Sequence, residues 1–243
     1  MTNQSFSSEL RWVAMMFAAV MFCSSTLHAG KYNRDMDIGE TAPTWTKLPG
    51  VDGKEHSLSD LKDKDVVVVA FTCNSCPYAE DYESRLIDFA NRYCVAKSSL
   101  KKQQDETEAS ERQNSSQDKP RVALIAINVN KVEEDLLPAM KKRAEAKKFP
   151  YPYLFDETQQ LPKEYGALWT PEFFVLNKER KVVYMGAFDD STDASKVTKR
   201  YVESAVVATL EGKEFEVAET YAVGCRIRFE RRRRSRRKPA DPK

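Results

Sequence analysis

The apolar run from Val66 to Phe71 constrains the fold of this chain more than any other feature. Its consecutive apolar positions show no polar alternation, which is typical of a central strand covered by helices on both faces. After the run, apolar residues recur at spacings of three or four as far as Cys94, which predicts a helix. The sequence therefore predicts an α/β fold in which a buried strand leads directly into a helix.

Two cysteines, Cys73 and Cys76, occupy the junction between this strand and this helix. Pro77 suits the first helical turn, where its missing N–H costs nothing. The free N–H groups and the positive dipole end of a helix favour thiolate over thiol. In Cys-x-x-Cys motifs the pKa of the first cysteine falls from ~8.5 to between ~3.5 and ~7.5. We therefore expect Cys73 to be the nucleophile and Cys76 to be the resolving thiol.

A Cys-x-x-Cys pair also occurs in metal sites and in inert structural disulfides. A structural zinc site needs four ligands, usually a second cysteine pair or histidines at matching spacing. This chain has only His28 and His56 and no second Cys-x-x-Cys. Redox use is favoured over both alternatives, and we predict neither a metal nor a bound cofactor, because the cysteines supply the redox chemistry.

Residues 1–29 have the pattern of a secretory signal, with Arg11 before an apolar run and Ala29 before the expected cleavage point. The apolar run is shorter than the ~20 residues that span a bilayer, so cleavage is favoured over an uncleaved membrane anchor. Cys23 is a weaker candidate for lipid attachment, because the bulky Phe22 precedes it. We expect an exported protein, periplasmic or extracellular, with its cysteines in an oxidising compartment.

The remaining chain predicts one domain over residues 30–212. Residues 97–120 contain one leucine and no aromatic residue, so we expect a flexible surface insertion. Residues 121–129 predict a second core strand. A helix should follow, and the acidic residues Glu133 to Asp135 suit its positive end. Pro138 is tolerable only in the first helical turn, so its position sets the helix start near there. The last helix is predicted from Ser195 to Leu210, with Gly212 as its stop.

Four motifs occur in a consistent order and carry a family resemblance: FTCNSCPY (71–78), FPYPYLFDETQ (149–159), YGALWTPEFFVL (165–176) and GCRI (224–227). Together they resemble the thioredoxin-like redoxin branch of the thioredoxin superfamily, which borders the alkyl hydroperoxide reductase and thiol-specific antioxidant proteins. The resemblance covers about residues 38–229. It implies a thioredoxin-like fold, in which helices flank a central mixed β-sheet and an N-terminal hairpin precedes the first core strand.

The resemblance also implies a cis peptide bond at Pro171 facing the cysteine pair, and a Thr170 backbone that pairs with a bound substrate chain. Two departures matter. Thr72 and Val67 stand where thioredoxins have a tryptophan and a buried acid, so the proton acceptor is not identified. The proline-led loop that precedes a peroxiredoxin's reactive cysteine is absent, so dithiol exchange is favoured over direct peroxidase chemistry.

The C-terminal extension, residues 213–243, contains Cys225 and an arginine-rich tail. Cys225 has three open interpretations: a third redox cysteine that receives the disulfide, a partner of Cys94, or a free thiol. From Arg226 onward, eight arginines, two lysines and two acidic residues give a net charge of +8. Because the whole chain has a net charge of +2, the residues before Arg226 have a net charge of −6. Such a tail is typically solvated and disordered, and contact with an anionic surface is the second interpretation. Nucleic acid is not an expected partner of an exported protein.

These features predict a monomeric, exported thiol–disulfide oxidoreductase acting on protein or small-molecule disulfides and thiols, together with a redox partner protein. The alternatives are a thiol peroxidase with antioxidant activity and a non-catalytic metal- or surface-binding module. The direction of the reaction stays open, because the potentials of Cys-x-x-Cys proteins span ~−270 to ~−120 mV.

Overall fold

The computed structural model describes residues 30–96 and 120–230. The predicted signal, nearly all of the predicted insertion and the end of the arginine-rich tail lie outside the described residues. The helices are α1 (Pro77–Tyr93), α2 (Leu137–Lys147), α3 (Gln160–Glu164) and α4 (Tyr201–Leu210). The strands are β1 (Leu48–Pro49), β2 (Glu55–His56), β3 (Val66–Thr72), β4 (Val122–Asn128), β5 (Tyr153–Phe155), β6 (Trp169–Thr170), β7 (Glu172–Leu176), β8 (Val182–Gly186) and β9 (Cys225–Arg226).

Five strands form one central sheet in the order β5-β4-β3-β7-β8. β3 is parallel to β4, and β4 to β5, whereas β7 is antiparallel to both β3 and β8. In the middle of the sheet, Val68 lies opposite Leu124 on one side and Val175 on the other. The predicted mixed sheet is confirmed, and the first core strand lies at its centre with all seven residues buried.

Alternate side chains of β3 face opposite sides of the sheet, as a period of two requires. Val66, Val68 and Ala70 pack against α1, α2 and α4. The other face, which includes Phe71, is covered by α3 and by the N-terminal segment that contains Trp45. Each fully buried valine or phenylalanine contributes roughly 1.5–3 kcal/mol. This double burial explains why the run shows no polar alternation.

The elements on either side of β3 also match the sequence. α1 begins at Pro77 with Cys76 as its N-cap and ends with Cys94 as its C-cap. β1 and β2 form the predicted N-terminal hairpin, with Leu48 opposite His56. No helix within residues 30–96 and 120–230 combines the length and the apolar character needed to cross a membrane.

The start of α2 agrees with the position of Pro138. The helix begins at Leu137, after a separate 3-10 turn (Glu133–Asp135), because Pro138 fits only the first helical turn. The predicted start of the last helix was wrong, because α4 begins at Tyr201 and not at Ser195. The Asp190 carboxylate accepts hydrogen bonds from the backbone N–H groups of residues 198 and 199, at 2.9 and 3.0 Å, and so holds this stretch outside the helix.

Candidate active site

Cys73 and Cys76 lie at the carboxyl end of the central strand, where four residues connect β3 to α1. Both thiols are free, and both side chains are almost fully buried, with 3% and 1% exposure. Cys76 is the N-cap of α1, so its sulfur lies at the positive end of a 17-residue helix. The structure therefore places the pair at the strand-to-helix junction that the sequence predicted.

A buried carboxylate holds the loop between the two cysteines. Asp135 is fully buried, and its Oδ1 accepts hydrogen bonds from the backbone N–H groups of Asn74 and Ser75, at 2.6 and 3.0 Å. Its Oδ2 accepts from the Ser75 hydroxyl at 2.5 Å. Sequence reasoning had assigned this acid to the N-terminus of the next helix. It binds the cysteine loop instead, because that helix starts two residues further on.

A second set of buried polar groups surrounds this carboxylate. The Asn74 side chain donates to the Glu134 carbonyl oxygen at 2.7 Å and accepts from the Tyr153 hydroxyl at 2.9 Å. The Asn128 side chain donates to the Tyr153 oxygen at 3.2 Å and to the Asp135 carbonyl oxygen at 3.1 Å. Burial raises the pKa of Tyr153, which keeps its hydroxyl proton. The network holds the cysteine loop in place, because buried polar groups whose hydrogen bonds are all made keep a site rigid.

Sequence reasoning missed this network. The available signal was Asn128, a polar residue at the end of a buried parallel strand, because the carboxyl ends of parallel strands meet at one edge of a sheet.

Thr170 and Pro171 face the cysteine pair, and the peptide bond between them is cis, as the resemblance implied. The Thr170 hydroxyl lies 3.4 Å from the Cys73 sulfur. The Cys76 thiol donates to the Thr170 carbonyl oxygen at 3.0 Å. One residue thus contacts both sulfurs, one through its side chain and the other through its backbone.

Cys225 completes a cluster of three thiols. It packs against Cys73, Cys76 and Ala79 at the start of α1. Cys94, by contrast, packs against the cluster under the opposite end of α1. The structure therefore contradicts a disulfide between Cys94 and Cys225. All five predicted site residues come together, and Cys225 is the one whose position no local pattern could show.

The thiols titrate as a coupled pair. A hydrogen bond between them lowers the pKa of Cys76 to about 5 and raises that of Cys73. The Cys225 thiol and the Ala79 N–H further stabilise a Cys76 thiolate, whereas the charge of Asp135 disfavours one at Cys73. We had expected the lowered pKa at Cys73. The difference arises because Cys76 is the sulfur that accepts the hydrogen bond between the two thiols, and because Cys225 and the Ala79 N–H also stabilise its thiolate.

The single proton that the pair keeps has two positions. On Cys76 it is donated to the Thr170 carbonyl oxygen, and on Cys73 it is donated to the Cys76 sulfur. We therefore assign the negative charge to the pair, whose first pKa lies below that of an ordinary thiol and whose second lies above it.

Glu172 is a further buried acid next to the site. Its carboxylate accepts hydrogen bonds from the N–H groups of Leu168 and Trp169, at 2.8 and 2.9 Å, and so shapes the turn that leads to the cis bond. Burial raises the pKa of Glu172 to about 7. A glutamate opening an apolar strand was the missed signal for this residue.

Within the ranges that the structure describes, no three or more His, Cys, Asp or Glu side chains are arranged to hold a metal ion.

Comparison with known proteins relates the chain to a family and to solved structures. A family model described as Redoxin matches residues 37–201. A hypothetical protein from Sinorhizobium meliloti 1021 is 29% identical with a TM-score of 0.66, and the match covers 82% of this chain and 97% of that chain. An uncharacterized conserved protein from Geobacillus kaustophilus is 32% identical with a TM-score of 0.65, covering 80% and 93%.

A more distant structure supports the fold alone. A protein from Chlorobium tepidum assigned as a thiol:disulfide interchange protein DsbE is 20% identical, with a TM-score of 0.51, and the match covers 72% of this chain and 99% of that chain. No curated protein matches the chain. The mixed sheet and these neighbours confirm the thioredoxin-like α/β fold.

Proposed function

The chain belongs to the redoxin family of the thioredoxin superfamily, and on that premise we propose that it is a thiol–disulfide oxidoreductase. Its Cys73 and Cys76 cycle between a dithiol and a disulfide. The observation that carries the proposal is the pair itself: two free, buried thiols at a helix N-terminus, in a loop held by Asp135 and facing the cis bond at Pro171. Membership of the family supports a redox function in general, and the geometry favours dithiol exchange within it.

We assign the attack on substrate to Cys73. Cys76 is enclosed by Thr170 and Cys225, whereas Cys73 adjoins Ser75, whose side chain is partly exposed. A groove beside the loop is lined by Ser75, Pro77 and Arg143, among others, and leaves room for a substrate chain.

In the reductive direction, Cys73 transfers its proton to the Cys76 thiolate and attacks one sulfur of a substrate disulfide. A bond forms between Cys73 and that sulfur, and the second substrate sulfur leaves as a thiolate. Cys76 gives its proton to this thiolate and attacks the Cys73 sulfur, which releases the first substrate sulfur. The substrate disulfide gains two electrons and becomes two thiols, and the two cysteines lose those electrons as the Cys73–Cys76 disulfide forms. The reverse sequence oxidises a substrate dithiol.

The low first pKa of the pair suits this chemistry, because the Cys76 thiolate takes the Cys73 proton and so forms the thiolate that attacks. Cys76 also takes the proton-accepting role of the buried acid that thioredoxins have at the position of Val67. In this scheme the second cysteine of the pair is itself the proton acceptor for the first.

Export belongs to the proposal on sequence grounds only, because residues 1–29 lie outside the described part of the chain. The same holds for a redox partner protein and for contact between the arginine-rich tail and an anionic surface.

The test is the redox potential of the pair, measured by equilibration against glutathione, acid quenching, thiol alkylation and mass spectrometry. We expect a reversible two-electron couple between ~−270 and ~−120 mV, and its position tells whether the protein acts as a reductant or as an oxidant. A Cys76→Ser variant should trap a mixed disulfide on Cys73, and Cys94→Ser is the matched control, since Cys94 lies under the far end of α1.

A pair without a reversible couple would refute dithiol exchange. Peroxide consumption by the reduced protein without such a couple would instead favour the thiol peroxidase alternative.

A further inference from the structure

The backbone edge at Thr170 is occupied by the chain itself. β6 and β9 pair antiparallel, with Thr170 opposite Cys225 and Trp169 opposite Arg226. The Ile227 N–H donates to the Leu168 carbonyl oxygen at 2.9 Å and extends this pairing. The resemblance assigned this edge to a bound substrate chain. Here a segment of the same protein lies on it, and that segment brings its own cysteine.

The close approach of the two segments depends on Gly224. A Cβ at this position would lie 2.2 Å from the Thr170 carbonyl oxygen, so a side chain would push β9 away from the cis bond. After Cys225 the segment is anchored again. Ile227 is buried, and the Arg228 backbone N–H donates to the Asn130 side chain at 2.9 Å. The Arg228 carbonyl oxygen accepts a hydrogen bond from the Gln159 side chain at 2.9 Å. Cys225 is therefore held between two fixed points.

The Cys225 thiol interacts with Cys76 and not with solvent alone. Hydrogen bonding between the two sulfurs lowers the pKa of Cys76 and raises that of Cys225. The Cys225 sulfur also accepts a hydrogen bond from the Tyr78 backbone N–H. Its side chain is half-buried, whereas those of Cys73 and Cys76 are almost fully buried. Among the three clustered thiols it is the one that an outside partner reaches most easily.

We propose that Cys225 is an internal substrate of the pair, which takes over the disulfide and presents it to a redox partner at the surface. This proposal rests on the proposed dithiol exchange of Cys73 and Cys76. In the step, the Cys225 sulfur attacks Cys76 in the Cys73–Cys76 disulfide. A Cys76–Cys225 bond forms, the Cys73–Cys76 bond breaks, and the proton lost by Cys225 is taken up by Cys73. The exchange moves a disulfide without net oxidation, so it needs no added oxidant.

The resting state of Cys225 fits this order of events. Burial, followed by the interaction with Cys76, raises the pKa of Cys225 to about 11 in the reduced protein. Once Cys76 is in a disulfide, it carries no negative charge and its opposition to a Cys225 thiolate disappears. Cys225 is thus held as a thiol while the pair is reduced and becomes a better nucleophile when the pair is oxidised.

The test uses the full chain carrying Cys73→Ser, in which Cys76 and Cys225 are the two remaining thiols of the cluster. The protein is oxidised with oxidised glutathione, its free thiols are alkylated, and it is digested with trypsin. We expect a disulfide between the peptides spanning residues 65–85 and 214–226. The same link should persist in Cys73→Ser/Cys94→Ser, the control that removes the cysteine at the far end of α1.

Recovery of these two peptides unlinked, each alkylated or bound to glutathione, would overturn the proposal. The wild-type chain provides a second measurement that does not depend on how the variants fold. Across a glutathione titration the wild-type chain alone should show both an internal disulfide in residues 65–85 and a minor cross-link to residues 214–226. As a separate control, Cys225→Ser should lose only the cross-link. A reversible couple without the cross-link overturns only the proposed transfer of the disulfide to Cys225. A missing couple overturns the proposed function.

Discussion

Asp135→Asn is the substitution that most directly tests how the cysteine loop is held. The wild-type carboxylate is fully buried and accepts one hydrogen bond from the Asn128 side chain and three from the cysteine loop, two from backbone N–H groups and one from the Ser75 hydroxyl. An asparagine keeps the shape but replaces charge-assisted hydrogen bonds by neutral ones. Hydrogen bonds to charged groups contribute about 1.5–3 kcal/mol against about 1 kcal/mol for neutral ones.

The loss over the three bonds to the loop is therefore roughly 1.5–6 kcal/mol, reduced by the desolvation cost that a neutral side chain no longer carries. We expect a net destabilisation of about 2 kcal/mol, which corresponds to a fall in Tm of roughly 4–8 °C for a domain of this size. Urea unfolding and calorimetry measure this change.

The substitution should also change the redox chemistry. The charge of Asp135 disfavours a thiolate at Cys73, so its removal stabilises the reduced pair. A more stable reduced form makes the pair more oxidising, and about 30 mV accompanies each 1.4 kcal/mol. We expect the potential to rise by an amount of that order in the glutathione equilibration.

Glu134→Gln is the matched control, because it removes one charge from the position next to Asp135. The exposed Glu134 side chain makes no hydrogen bond to the loop, and the substitution keeps the Glu134 carbonyl oxygen that accepts from Asn74. If Asp135→Asn left both Tm and potential within the range of Glu134→Gln, the assignment of the carboxylate as the loop anchor would be refuted.

Three further predictions follow from the site. Gly224→Ala should destabilise the protein by about 1–3 kcal/mol and speed alkylation of Cys225, because the new Cβ displaces β9 from Thr170; unchanged alkylation would contradict this. Glu172 has a folded pKa of about 7 against an ordinary 4.5, so the folded state binds more protons between these values and its stability should fall as pH rises from 4.5 to 7. Glu172→Gln should remove this fall in Tm between pH 4.5 and 7. If the variant and the wild type lost Tm equally over this range, the raised pKa of Glu172 would be refuted. Alkylation of the reduced Cys73–Cys76 pair should depend on a pKa near 5, measured as rate against pH, and a rate that rises only above pH 8 would disprove a shared charge.

Several features were predictable because they arise from short stretches of sequence. The unbroken apolar run of β3, the spacing of α1 and the position of Pro77 are local properties, and the structure confirms them. The mixed sheet and the thioredoxin-like fold were implied by the family resemblance of four motifs in order, and the structure confirms them. The wrong start of α4 shows the limit of this reasoning, because the Asp190 side chain binds backbone N–H groups that a local pattern assigned to a helix.

The chemistry of the site was predictable only in part. The sequence by itself determined that Cys73 and Cys76 lie together at a helix N-terminus, since their spacing and the adjoining strand and helix suffice for that. Only the tertiary structure decided that Asp135 holds their loop and that Cys225 lies beside Cys76. These contacts join residues about 60 and 150 positions apart, and the pairing of β9 with β6 that creates the second depends on a backbone approach that no local periodicity encodes. The distribution of charge over the thiols follows from the same long-range contacts, because each pKa depends on the groups that folding brings near.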